Sequence, residues 1–85
     1  MDVLLTEGTT FECVSGNEVL MRENGGIAVL NHMAAFLLHD LLSDNDPKDV
    51  SRTVIKRFDV NEAVVEKDIG SLLSDLCREG YVEIS

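Results

Sequence analysis

The most informative part of the hydrophobic pattern is the run Gly25-Gly26-Ile27-Ala28-Val29-Leu30-Asn31. Because a strand alternates its side chains between two faces, Ile27 and Val29 point one way while Ala28 and Leu30 point the other. Both faces are therefore apolar, and the run has no Lys, Pro or inward charge of the kind that protects sheet edges. If this strand lies at a sheet edge, its unpaired N–H and C=O groups can accept an added peptide strand.

The residues before this run alternate between polar and apolar types in a way that predicts a hairpin. Its strands are 10–13 and 18–22, and the turn between them is Ser15-Gly16-Asn17. Asn24-Gly25 predicts a second tight turn, which folds a third strand, Ile27 to Leu30, back onto the strand before it. Val3-Leu4-Leu5 is expected to extend the same sheet.

Helical spacing replaces alternation after Asn31, which is a favourable N-cap residue. The first helix is predicted to bury Ala34, Leu37, Leu38 and Leu41, with Met33, Phe36 and Leu42 widening that face. The second helix begins at Asp46-Pro47, a capping carboxylate followed by proline at the first helical position, and its inner stripe is Val50, Val54, Ile55 and Phe58. The third helix is predicted to run from about Asn61 to Glu79, with Gly80 as the residue that follows its end. Its inward-facing residues are Val65, Ile69, Leu72, Leu73 and Leu76. A last strand is predicted over 81–84.

These elements predict one α+β domain over residues 1–85. A three-stranded antiparallel sheet is followed by three helices that cover one of its faces, an order similar to a winged helix-turn-helix.

Composition and charge narrow the classes of partner. The 85 residues include 16 acidic and 7 basic side chains, and a formal net charge of -9 repels phosphate backbones and anionic lipid. No apolar run is long enough to cross a membrane, so we expect a soluble cytoplasmic protein without nucleic acid or membrane as partner. Cys13 and Cys77 are expected to be reduced thiols, with a bridge between them as the alternative.

Candidate chemistry is sparse. His32 and His39 share the outer face of the first helix with no third ligand spaced to join them, so surface histidines are expected instead of a zinc site. Acidic residues are strewn along the third helix and not opposed across a cleft, and no Ser-His-Asp, Cys-His or phosphate-loop pattern occurs. We therefore expect no catalytic residue, metal or cofactor.

Several of these motifs occur in a known family in the same order. They are the Gly-rich turn into Val29-Leu30-Asn31, Ala34-Ala35 with the paired leucines of the first helix, Phe58-Asp59-Val60, and Asp68-Ile69 with Leu72-Leu73 before Gly80-Tyr81-Val82. Over residues 9–84 the chain resembles the PqqD-like proteins, the precursor-peptide chaperones of pyrroloquinoline quinone biosynthesis. Their fold recurs as the peptide-recognition element of many ribosomal-peptide modification systems. One departure is Ser43-Asp44-Asn45-Asp46, where the family often has Asp-Gly.

The resemblance implies a non-catalytic chaperone that binds the leader segment of a precursor peptide and presents it to a modifying enzyme, often a radical S-adenosylmethionine (SAM) enzyme. In such proteins the leader adds as a strand beside the third strand and packs against the third helix. Carried onto this sequence, the strand side is Ile27, Ala28, Val29 and Leu30. The helix side is drawn from Asp68, Leu72, Asp75 and Leu76.

Each of these features also has a structural interpretation. The third strand could be covered by 3–5 or by 81–84, Leu72 and Leu76 could be core residues, and Asp68 and Asp75 could form a solvated face. Lys48, Arg52 and Lys56 recur at helical spacing on the second helix, either as a solvated face or as a docking patch for an acidic partner surface. The competing functions are a winged-helix DNA-binding regulator and a homodimer that pairs through the same strand edge.

Overall fold

The computed structural model describes residues 2–43 and 47–85, and the side chains of Pro47 and Lys48 are not among the described parts. Five strands and three helices follow one another in these residues. They are β1 (Val3–Leu5), β2 (Thr9–Val14), β3 (Asn17–Arg22), β4 (Ile27–Leu30), α1 (His32–Leu42), α2 (Pro47–Phe58), α3 (Glu62–Arg78) and β5 (Val82–Ile84). The predicted α+β class and element order are confirmed.

The three central strands form an antiparallel sheet in the order β2-β3-β4. Positive backbone φ angles at Ser15 and Gly16 close the first turn, and Gly25, at φ +94°, closes the second. In the resulting register Val19 lies opposite Val29 and Leu20 opposite Ala28. The two predicted hairpins are therefore present.

Val3–Leu5 does not extend this sheet, so that expectation was wrong. β1 pairs antiparallel with β5 in a separate two-stranded sheet, where Val3 lies opposite Ile84 and Leu5 opposite Val82. The ladder continues past both strands, because Asp2 and Ser85 exchange two main-chain hydrogen bonds of 3.2 and 3.0 Å. The β1–β5 pair is fixed by packing, since Val3 and Val82 are both buried in the core.

Side-chain caps begin two of the helices. Asn31 Oδ1 accepts a hydrogen bond from the Ala34 N–H at 2.8 Å, and Asn61 Oδ1 accepts one from Ala63 at 2.8 Å. At the end of α3, Gly80 adopts φ +84° while the Tyr81 N–H donates to the Leu76 carbonyl at 2.8 Å. The predicted cap at Asp46 lies outside the described residues.

The core lies between the three helices and the inner face of the sheet. Its fully buried side chains include Leu20 from β3, Leu37, Leu38 and Leu41 from α1, Val50 and Val54 from α2, and Val65 from α3. Ala35 is buried while Ala34 is only partly so, which differs from the predicted face of α1. Both cysteines are free, with Cys13 exposed and Cys77 half-buried, so the structure has no bridge between them.

Candidate functional site

The outer edge of β4 is open. β4 is the last strand in the order β2-β3-β4, and it pairs only with β3 among the described residues. The two terminal strands, either of which could have covered it, pair with each other instead. The edge that the sequence pattern indicated is therefore unoccupied by the described parts of the chain.

The hydrogen-bond pattern identifies which main-chain groups face this edge. In an antiparallel pair, residues that exchange hydrogen bonds alternate with residues that do not. The Arg22 N–H donates to the Gly26 carbonyl at 2.8 Å, so the alternation directs the groups of Ala28 and Leu30 towards β3. The N–H and C=O groups of Ile27 and Val29 consequently face outward.

The side chains of β4 divide in the same alternating way. Ala28 and Leu30 are partly buried and pack against the core, on the side of the sheet that the helices cover. Ile27 is 60% exposed and Val29 is 68% exposed on the opposite face. Two large apolar side chains thus lie in solvent at the same two residues whose main-chain groups are unpaired.

A groove of about 240 Å³ begins where β4 ends, between α1 and α3. One wall consists of Asn31, the residue after β4, with Met33, Ala34 and Leu37; the other consists of Asp68, Ser71 and Leu72 of α3. The walls are apolar apart from Asn31, Asp68 and Ser71. A segment that follows the β4 edge would therefore reach this groove without leaving the surface.

The four residues expected on the third helix are placed differently from one another. Asp68 is exposed and Leu72 half-buried, and both line the groove. Leu76 is only 5% exposed and belongs to the core. Asp75 is exposed and accepts a hydrogen bond from Arg78 Nη2 at 2.9 Å, and it does not line the groove.

Sequence reasoning missed the α1 wall and Ser71. Met33, Ala34 and Leu37 were assigned to the buried face of α1, although their spacing is equally that of a stripe facing a groove. Ser71 lies three residues after Asp68 and so shares its face of α3. That spacing could have identified Ser71 as a groove residue from the sequence.

A polar cluster around Arg22 holds the two sides of this site together. Arg22 Nη1 donates to Thr6 Oγ1, to Thr9 Oγ1 at 3.0 Å, and to the carbonyl oxygen of Gly80 at the end of α3. Thr6 Oγ1 also donates to the Gly80 carbonyl at 2.6 Å. Because Arg22 ends β3 and precedes the turn into β4, this cluster sets the position of α3 relative to the edge strand.

Gly26 allows a close approach at the start of β4. A Cβ atom at this position would lie 3.2 Å from the hydroxyl oxygen of Tyr81, which is itself buried. That distance is shorter than ordinary van der Waals contact, so a side chain here would push β4 away from the segment after α3.

The basic residues expected on α2 are only partly described. Arg52 and Lys56 are exposed, and Arg52 Nη1 lies 3.4 Å from Asp49 Oδ1. Lys48 belongs to α2, but its side chain lies outside the described residues.

Other kinds of site find little support in the described residues. Within residues 2–43 and 47–85, no group of three His, Cys, Asp or Glu side chains is arranged to hold a metal ion. No helix in the described ranges has the length and apolar character to span a membrane. The acidic side chains of α3 and of its C-cap are exposed, which disfavours insertion of this helix into a DNA groove. They are Glu62, Glu66, Asp68, Asp75 and, at the cap, Glu79.

Comparison with known proteins gives a family and two similar structures. The family model described as coenzyme PQQ synthesis protein D (PqqD) matches residues 18–82. A structure of lasso peptide synthetase B1 complexed with the leader peptide has a TM-score of 0.92 and 24% identity, covering 99% of this chain and 100% of that one. A structure of TbiB1 in complex with the TbiA(beta) leader peptide has a TM-score of 0.83 and 16% identity, covering 100% and 98%. No curated protein matches the sequence.

Proposed function

The chain belongs to the PqqD family, and we propose that it is a non-catalytic chaperone for a ribosomally made precursor peptide. As one peptide-recognition domain over residues 1–85, it binds the leader segment of the precursor by strand addition at β4. It then presents the precursor to a separate modifying enzyme in the cytoplasm, where its two cysteines stay reduced.

The observation that carries this proposal is the open edge of β4 beside the α1–α3 groove. The outward N–H and C=O groups of Ile27 and Val29 offer two donors and two acceptors to an incoming strand. Main-chain pairing supplies affinity for any extended segment, whereas the groove selects among side chains. Of the residues assigned to the helix side, Asp68 and Leu72 are the two that line this groove.

The two similar structures support a leader peptide as the ligand. Each of them is a complex in which the bound partner is a leader peptide. A strand beside β4 would alternate its own side chains, placing one set against the groove side and the other next to Ile27 and Val29. We therefore propose that the leader carries apolar residues at alternate positions.

The test removes one outward donor without disturbing the sheet. Proline is tolerated in an edge strand where its missing N–H faces solvent, so Val29→Pro keeps the β3–β4 hydrogen bonds. It deletes one hydrogen bond to the leader, worth about 1 kcal/mol, and its ring blocks the incoming carbonyl. We expect affinity for the leader peptide to fall by about tenfold or more.

Val29→Ala is the matched control, because it trims the same side chain and keeps the N–H. It should lose less affinity than Val29→Pro in a calorimetric titration, with both variants showing parental circular dichroism. Equal affinity of Val29→Pro and Val29→Ala would contradict strand addition at this edge.

Presentation to an enzyme requires a second contact surface. We propose that Lys48, Arg52 and Lys56 dock an acidic surface of the modifying enzyme, either a radical SAM maturase or, by analogy with the first of the two similar structures, a component of a lasso peptide synthetase. Such a contact is screened by salt. Raised ionic strength should dissociate the enzyme while the leader stays bound, and loss of both together would contradict separate surfaces.

The open edge also supports a second candidate, a homodimer in which β4 pairs with its own copy. Sedimentation of the isolated protein separates the candidates. A dimer that persists with saturating leader would show that the edge serves self-association instead.

A further inference from the structure

A second cleft, of about 410 Å³, lies between the β2–β3 hairpin, α1 and the end of α2. Its principal lining residues are Glu18, His32, Phe36, His39, Arg57 and Phe58. The residues that α1 contributes, His32, Phe36 and His39, are spaced four and three apart and share one face of the helix. The groove beside β4 uses Met33, Ala34 and Leu37, so α1 separates the two.

Aromatic rings form the floor of this cleft. The rings of Phe36 and Phe58 meet edge to face with centroids 5.4 Å apart. The His39 ring stacks on Phe11 at 4.3 Å. The Phe36 and Phe58 rings therefore give the cleft an apolar surface that can contact a large apolar side chain.

Arg57 lies across the rings. Its guanidinium carbon is 5.1 Å from the centroid of Phe36 and 5.9 Å from that of Phe58. Among the described residues Arg57 forms no ion pair, although the chain has 16 acidic side chains to its 7 basic ones. Of the carboxylates in the described residues, Glu18 alone lines the cleft, and it lies 3.6 Å from His39 Nε2.

These features define the chemistry of a ligand. The Arg57 guanidinium, which lies over both rings, carries its N–H groups in the fork geometry that matches a carboxylate. The apolar floor beside it suits an aromatic or branched side chain. In a protein of net charge -9, Arg57 is a cation without an ion-pair partner among the described residues, and it attracts an anion that the rest of the surface repels.

We propose that this cleft binds an acidic segment of a partner protein, with an Asp or Glu carboxylate on Arg57 and a neighbouring aromatic or large apolar side chain against Phe36 and Phe58. The site lies on the opposite face of α1 from the β4 groove and does not require the leader to be bound. It would give the protein a second contact with a partner, independent of peptide capture.

Selection from a displayed library of random peptides tests the proposal. The library is selected on the parent protein after depletion on Arg57→Gln, which removes peptides that bind the β4 edge or the groove. Recovered peptides should place Asp or Glu close to an aromatic residue. They should bind Arg57→Gln about tenfold or more weakly than the parent, as expected for loss of a charge-assisted bidentate hydrogen bond.

Two variants serve as controls. Lys56→Gln removes the neighbouring exposed charge, which does not line the cleft, and should leave binding almost unchanged. Val29→Pro should also bind the selected peptides like the parent, whether or not it loses the leader. Peptides without an excess of acidic residues, or binding lost equally in Lys56→Gln or Val29→Pro, would overturn the proposal.

An NMR titration of the parent protein tests the same cleft without relying on the folding of Arg57→Gln. With 3-phenylpropionate as the probe, amide NMR signals should shift at 32–39 and 57–58, and the neutral probe 3-phenylpropanol should shift them much less. Equal shifts with both probes, or shifts centred on the α1–α3 groove, would also overturn the proposal.

Discussion

Replacement of Arg22 by Met tests whether the Thr6–Thr9–Gly80 cluster holds α3 against the sheet. The substitution keeps a flexible, unbranched chain in place of the arginine stem and removes the guanidinium with its hydrogen bonds to Thr6, Thr9 and the Gly80 carbonyl. A hydrogen bond from a charged donor contributes about 1.5–3 kcal/mol when its partner is buried. Thr6 still donates to the Gly80 carbonyl in the variant, and Arg22 is only half-buried, so the contributions do not add fully.

We expect the free energy of unfolding to fall by about 2 kcal/mol in Arg22→Met. For a domain of this size, with a total stability of roughly 4–13 kcal/mol, such a loss lowers Tm by about 8–16 °C. Urea denaturation followed by far-ultraviolet circular dichroism measures it directly.

Arg78→Met is the matched control at the same end of α3. Arg78 is exposed and, within residues 2–43 and 47–85, pairs only with Asp75, at 2.9 Å. Exposed ion pairs contribute about 0–1 kcal/mol. Arg22→Met should therefore be clearly the less stable variant. If the two variants unfold at the same urea concentration, the cluster does not fasten α3 to the sheet.

Three further predictions separate stability from binding. Leu38→Ala, at a fully buried position, should lower the free energy of unfolding by about 2–5 kcal/mol in urea denaturation, and a loss below about 1 kcal/mol would contradict its place in the core. Asn31→Ala should cost about 1 kcal/mol in the same assay because the Ala34 N–H loses its cap, whereas no change would mean that water replaces the cap. Asp68→Ala should weaken leader binding without changing the free energy of unfolding, whereas Asp75→Ala, outside the groove, should bind the leader like the parent. A larger loss of affinity in Asp75→Ala than in Asp68→Ala, measured by calorimetry, would place the binding surface elsewhere on α3.

Local signals predicted most of the fold. Alternation together with Asn24-Gly25 was sufficient for the β3–β4 hairpin, because the turn geometry and register depend on neighbouring residues. The expected cap at Asn31 and the helix end at Gly80 are equally local. Each of these features is set within a few residues of chain.

The pairing of β1 with β5 could not be predicted in the same way. Three-residue strands carry little pattern, and their partner depends on where the helices leave room for Val3 and Val82. Similarly, Ala34 and Ala35 are chemically identical, and the local sequence does not decide which of them is buried.

The candidate site was predicted on its strand side better than on its helix side. β4 carries its own evidence of an unpaired edge, since the sequence shows apolar residues on both faces without protective charges. On α3 the same leucine pattern describes both groove and core. Packing resolves it, with Leu72 lining the groove and Leu76 lying in the core.

Because the edge of β4 is unprotected, the acidity of this protein also affects whether its molecules associate with one another. Natural sheets commonly keep their edges apart with a local Lys, Pro or bulge, whereas here long-range repulsion between molecules of net charge -9 has to serve that purpose. As acidification neutralises the carboxylates, we expect the molecules to associate first through the β4 edge, at Ile27 and Val29. Precipitates formed near the isoelectric point would then be rich in intermolecular β-structure, and an occupying peptide would delay their formation.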